Sequence, residues 1–120
     1  MMNLRYKKHV RILNEILNYC HQMGGYQFHI DFIINKQTSH ITVKSRVDKI
    51  TQDELDDLYA QICIPRQHEI EENYWNVSND DNSDNTLFIV GVMTDRVNVD
   101  YDEETHVLSI HVERDDLGGS

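Results

Sequence analysis

The sequence predicts an α+β domain: a two-layer α/β sandwich in which a mostly antiparallel sheet of four or five strands carries helices on one face. Three observations lead there. Two stretches repeat apolar residues at helical spacing. At least four segments alternate apolar and polar residues with period two, so each offers one face to a core and one to water or a partner. A polar, acidic stretch from Ile64 to Asn85 divides the pattern, with helix, strand, strand and helix before it and an apolar run and two alternating segments after it.

Residues 5–23 read as the first helix. Val10, Leu13, Ile16, Leu17 and Cys20 recur at helical spacing, with Ile12 and Met23 on the margin of that stripe and Lys7, Lys8, Arg11, Asn14 and Asn18 on the other faces. Gly24-Gly25 ends it, because glycine takes the left-handed C-terminal conformation readily. In the next run Tyr26, Phe28, Ile30, Phe32 and Ile34 point one way and Gln27, His29, Asp31 and Asn35 the other, with Ile33 an exception. Ile41, Val43 and Val47 form a second apolar row opposite Thr42, Lys44 and Arg46. Both are strands, and the polar link Asn35-Lys36-Gln37-Thr38-Ser39 makes them a hairpin.

Thr51-Gln52-Asp53-Glu54 is a capping box, and Leu55, Leu58, Tyr59 and Ile62 follow it at i, i+3, i+4, i+7, so a second helix starts there. Pro65 is expected to restart the chain as a short helix anchored through Ile70 and Tyr74. Asn79 to Asn85 contains nothing apolar and reads as an exposed loop. Leu87 to Met93, LFIVGVM, fits a buried strand or a buried helix by periodicity alone. Val97, Val99 and Tyr101, then Leu108, Ile110 and Val112, alternate with polar residues as two strands joined through Asp102 to Thr105. Residues 115–120 read as a flexible tail. No repeat or second domain is visible, so residues 1–120 form one domain.

Composition bounds the function. The chain of 120 residues is long enough for a core. Its 39% apolar and 27% charged residues suit a folded domain. Acidic residues outnumber basic ones 21 to 11, for a formal charge of −10. A nucleic-acid backbone or an anionic lipid surface needs cationic neutralisation, so neither is the expected partner. MMNLRYKKHV lacks the apolar core of a secretory signal, and no apolar run approaches a membrane span. Cys20 and Cys63 fit no metal or redox spacing and read as buried thiols in a reducing cytoplasm.

Candidate chemistry gathers in the divider. His68 and Glu72 lie at i, i+4 and could face one metal ion, but no third ligand is identifiable, and a solvated charged face explains them as well. Asp80, Asn82 and Asp84 imitate the first half of a calcium loop, while Asn85 and Gly91 stand where its glycine and glutamate belong. Arg66, His68, Glu72, Tyr74 and Trp75 are the candidate ligand or partner contacts, since tryptophan, tyrosine and arginine are common interface anchors. Trp75 equally suits a role covering the edge of the core. His29 and His111 share the polar sheet face with Asp31, Lys44 and Asp100. No catalytic constellation, metal set or cofactor motif is complete.

The order of elements resembles the ATP-binding domain of the histidine kinase, gyrase and chaperone ATPase superfamily. Leu13-Asn14-Glu15-Ile16-Leu17-Asn18, followed by His21, is similar to the helix in which an asparagine holds magnesium, which would be Asn18, with the Glu15 carboxylate nearby. Ile41 to Tyr59 resembles the strand, aspartate loop and following helix, with Asp48 in the loop. Leu87 to Met93 resembles the helix after the ATP lid, with Gly91 as the remnant of its glycine motif, and this tilts that run towards helix. Residues 64–85 would stand where the lid stands. The loop around Asp48 has no glycine from Lys44 to Thr51, and without one the backbone does not approach phosphates cheaply. The resemblance therefore implies a degenerate version that has lost ATP binding. Glu15, Asn18, Asp48 and Gly91 would be vestiges of the nucleotide site. The reading is a small cytoplasmic, non-catalytic interaction or regulatory domain with a protein partner; the alternative is a nucleotide- or metal-dependent enzyme on a diverged ATPase-like fold.

Overall fold

A computed structural model describes residues 4–75 and 87–116. The expected loop at 79–85, its calcium-like triplet and residues 117–120 of the expected tail lie outside the described residues. The elements in order are α1 (Leu4–Gln22), β1 (Phe28–Ile34), β2 (Thr38–Arg46), α2 (Gln52–Ile62), α3 (His68–Tyr74), α4 (Leu87–Met93), β3 (Arg96–Asp102) and β4 (Val107–Asp115). The strands form one antiparallel sheet in the order β1-β2-β4-β3. The helices cover one face, so the α+β sandwich expected from the alternating segments is the fold.

Register explains which side chains enter the core. Residues opposite one another in a ladder share a face. One row runs Ile30, Val43, Ile110, Val99, and the next runs Phe32, Ile41, Val112, Val97. From β2, β3 and β4 these rows meet Ile12, Ile16 and Cys20 of α1 and Leu58 and Ile62 of α2 in one buried cluster.

α4 sits at the centre of the helix layer and packs against α1, α2 and α3. All its residues but Phe88 are buried. A helix apolar all round is a buried helix, which is why its periodicity is silent. Its β-branched residues cost at most about 0.7 kcal/mol each in helix propensity. Burying each contributes about 1.5–3 kcal/mol, so packing decides the conformation. Gly91 is required by that packing. A Cβ there would overlap Ile64 Cγ1 and stand 2.7 Å from the Ile62 carbonyl oxygen.

The capping box of α2 is present: Thr51 Oγ1 accepts from the Glu54 amide at 3.1 Å, and the Thr51 amide donates to Glu54 Oε1 at 2.8 Å. Gly24, at φ +94°, closes α1.

Five expectations need correction. The tail does not begin at residue 115: β4 runs through Asp115, and the Asp116 carboxylate is buried, accepting from Arg5 and Ser39. The buried stripe of α1 runs through Lys8, His9, Ile12, Glu15, Ile16 and Cys20, while Leu13 and Leu17 are only half-buried. Ile12 is thus central rather than marginal, and Lys8 is inside because it has a buried acidic partner. Cys63 is exposed, since it caps the C-terminus of α2 rather than continuing its apolar face. Pro65 does not start a helix; α3 begins at His68 after an extended Gln67. α3 is anchored by Ile70 and by the buried carboxylate of Glu71, while Tyr74 stays exposed.

Glu71 is the hub between the layers. It receives Lys8 Nζ from α1 at 2.7 Å, both terminal nitrogens of Arg114 from β4 at 3.0 and 2.8 Å, and Arg66 Nε at 3.3 Å. Arg114 also donates to the Met93 carbonyl at the end of α4, at 2.7 Å. Burial alone would raise the Glu71 carboxyl, but the hydrogen bonds from Arg114 and Lys8 and the nearby guanidiniums outweigh it and hold it at about 2.

Candidate functional site

The two edges of the sheet differ. β3 carries Arg96, Asn98, Asp100 and Asp102 on its polar face, and charge of this kind blocks edge-to-edge pairing. β1 has no lysine and no proline between Phe28 and Ile34. Among the described residues only β2 pairs with it. The Asn35 amide donates to the Thr38 carbonyl, and the Arg46 amide to that of Gln27. In an antiparallel ladder the bonded positions alternate. The amides and carbonyls of Phe28, Ile30, Phe32 and Ile34 therefore point outwards, away from β2.

The same four side chains lie on the helix side of the sheet, but the helices stop short of them. Phe28 is 37% exposed, Ile30 47% and Ile34 43%. Only Phe32 is half-buried, where Tyr6 of α1 stacks on it with ring centroids 6.1 Å apart and His9 meets it edge-on at 5.8 Å. Exposed Tyr6 and Leu4 extend the apolar surface along α1. Alternation in the sequence identifies the face of these residues correctly; it does not report that the edge is uncovered. Among the described residues this edge combines a contiguous apolar strip with backbone donors and acceptors that no other strand pairs, the features strand addition uses.

The opposite face of the sheet is polar, and its described residues are exposed or half-buried. Its rows are His29, Lys44, Ser109, Asp100; then Asp31, Thr42, His111, Asn98; then Ile33, His40, Glu113, Arg96. His29 and His111 do share this face, one row apart, but the imidazole that joins His111 is that of His40. His111 Nε2 lies 3.1 Å from Glu113 Oε2, and His40 Nδ1 lies 3.7 Å from the same oxygen. Hydrogen bonds from Arg96 and His111 hold the Glu113 carboxyl below the usual range. His40 carries no signal in sequence, because only the pairing of β2 with β4 brings it to Glu113.

The remaining candidates are dispersed. Arg66 is inside, bridging Glu71 and Asp95 and donating to the Asp115 carbonyl at 2.8 Å. Glu72 is exposed and pairs with Lys8. His68 and Tyr74 are exposed. Trp75 is half-buried against the core with Lys8 Nζ 6.0 Å from its ring centre, so it covers the core edge. Glu15 is buried on α1 and pairs with Arg11 at 3.1 Å, while Asn18 on the same helix is exposed. Asp48 accepts from the Tyr26 hydroxyl at 3.1 Å. It lines a shallow depression with Lys49, Ile50, Tyr101, Glu103 and His106, a set without Glu15, Asn18 or Gly91. Gly91 lies inside the helix layer against Ile62 and Ile64.

Neither a scan of protein-family models nor a search of curated proteins finds a match to this chain. Among the described residues no helix is long and apolar enough to cross a membrane.

Proposed function

We propose that this chain is a non-catalytic interaction domain that assembles with a second copy of itself by adding strand β1 to the partner's β1. The observation that carries the reading is the exposed apolar row on an edge with which, among the described residues, only β2 pairs.

Self-pairing is selective in register. Antiparallel pairing that keeps the apolar row on one face has a two-fold axis through a residue of β1. An axis at Asp31 sets two Asp31 carboxylates directly opposite, which is repulsive. An axis at Ile30 sets Phe28 opposite the partner's Phe32, Ile30 opposite the partner's Ile30 and His29 opposite the partner's Asp31. All outward amides and carbonyls between Phe28 and Phe32 are then paired, and no two carboxylates stand directly opposite. A two-fold interface uses the same patch twice, so each favourable contact occurs in duplicate. The free thiols of Cys20 and Cys63 suit a reducing cytoplasm as the place of assembly.

Sedimentation velocity tests this. The wild type is expected at twice the 14.2 kDa chain mass, and Ile30→Lys at the monomer mass with an unchanged far-UV spectrum. A wild type that stays monomeric at tens of micromolar contradicts the reading.

A further inference from the structure

The polar face of the sheet holds a second site, independent of the β1 edge. Among the described residues His40, His111 and Glu113 are the one group whose ligand atoms all lie within 4.8 Å of one another. We propose that these three side chains bind a divalent transition-metal ion, with zinc as the best chemical fit.

The ladder builds the constellation. His40 on β2 is directly opposite Glu113 on β4, and His111 is two residues before Glu113 on the same face. The two imidazole rings are 5.8 Å apart and both turn towards Glu113 Oε2. The other carboxylate oxygen, Oε1, accepts from Arg96 Nε at 2.7 Å. Arg96 thus fixes the carboxylate and leaves Oε2 for the ion. Arg96 is itself tied to Asp115 at 2.7 Å, so it does not leave the local charge positive.

One of the two imidazoles, His111, has the outer contact that a metal-binding histidine needs. His111 Nδ1 lies 2.7 Å from Thr42 Oγ1. A hydroxyl serves either tautomer of the ring. In the tautomer that carries the proton on Nε2, Thr42 donates to Nδ1 and Nε2–H donates to Glu113. With metal, Nδ1–H donates to Thr42 and the Nε2 lone pair faces the ion. A partner on the second ring nitrogen is what orients a ligating imidazole. Two imidazoles and one carboxylate match the borderline character of zinc, and the half-exposed position leaves a coordination site for water. Magnesium and calcium prefer oxygen-only sets and are disfavoured.

The test is calorimetric titration of the full chain with zinc chloride in a non-chelating buffer, with melting temperature as a second readout. One ion per chain is expected, with a rise in melting temperature because the ion binds only the native arrangement. His40→Ala and His111→Ala, both on the solvent face, should fold normally and lose the binding. Thr42→Val should weaken it by about 10–100-fold, as loss of an outer-shell partner does. His21→Ala, on α1, should leave it unchanged. No binding by the wild type, or undiminished binding by either ligand variant, overturns the proposal.

Discussion

Glu71 of α3 and Arg114 of β4 form a two-pronged ion pair at 3.0 and 2.8 Å, both side chains almost wholly inside the protein. The pair ties the short third helix to the sheet, and Lys8 brings in the first helix. Removing Glu71 takes the shared acceptor from three buried cations and leaves Lys8 only Glu72, Arg66 only Asp95 and Arg114 only Asp116 as acidic partners. Glu71→Ala is therefore expected to cost about 3–5 kcal/mol, as broken buried pairs do. Urea unfolding of the variant measures this; a loss near that of an exposed pair, under about 1 kcal/mol, would show that the hub is peripheral to stability.

Stability should fall in two stages as the solution is acidified. His9 is fully buried, and among the described residues neither ring nitrogen has a hydrogen-bond partner. Burial lowers its pKa from 6.5 to about 4, against the pull of Asp116 at 3.6 Å. The unfolded chain takes up a proton near 6.5 that the folded chain refuses until about 4. Unfolded molecules bind more protons across that window, so stability falls as pH drops through it. The loss approaches roughly 3 kcal/mol. Glu71, held at about 2 against an ordinary 4.5, adds a second loss as pH falls below 4.5. His9→Leu should flatten the first stage and leave the second. Urea midpoints followed from neutral to acid pH would show a single stage if the account of His9 were wrong.

Gly91→Ala should destabilise the domain by about 1–3 kcal/mol, the usual cost of overpacking. The added methyl meets both the Ile64 side chain and the Ile62 carbonyl, and the carbonyl belongs to backbone that cannot simply rotate away. Combining it with Ile64→Val should recover only part of the loss. Full recovery in thermal unfolding would mean that the carbonyl contact is unimportant.

The local parts of this fold are legible in the sequence. The hairpins, the capping box at Thr51 and the two long helices follow from spacing within a few residues of one another. What is not legible depends on distance along the chain. Glu71 reads as one carboxylate in an acidic run, and its burial depends on Lys8 and Arg114, 63 and 43 residues away. The hydrophobic stripe of α1 appears rotated because Lys8, His9 and Glu15 are buried through polar pairing or simple enclosure, which apolar spacing does not register. The β1 edge was half legible. Alternation assigns Phe28, Ile30 and Ile34 to one face, but coverage depends on where the helices end. The cluster of His40, His111 and Glu113 needed the register of β2 on β4.

The most direct measurement of the assembly claim is disulfide trapping in a Cys63→Ser background, with His29→Cys and Asp31→Cys made separately. In the register about Ile30, position 29 of one copy faces position 31 of the other as a non-bonded pair, the arrangement with the closer side chains. Neither variant is expected to cross-link alone under mild oxidation, and an equimolar mixture is expected to do so. An uncross-linked mixture, or cross-linking of Asp31→Cys by itself, would contradict the assembly claim.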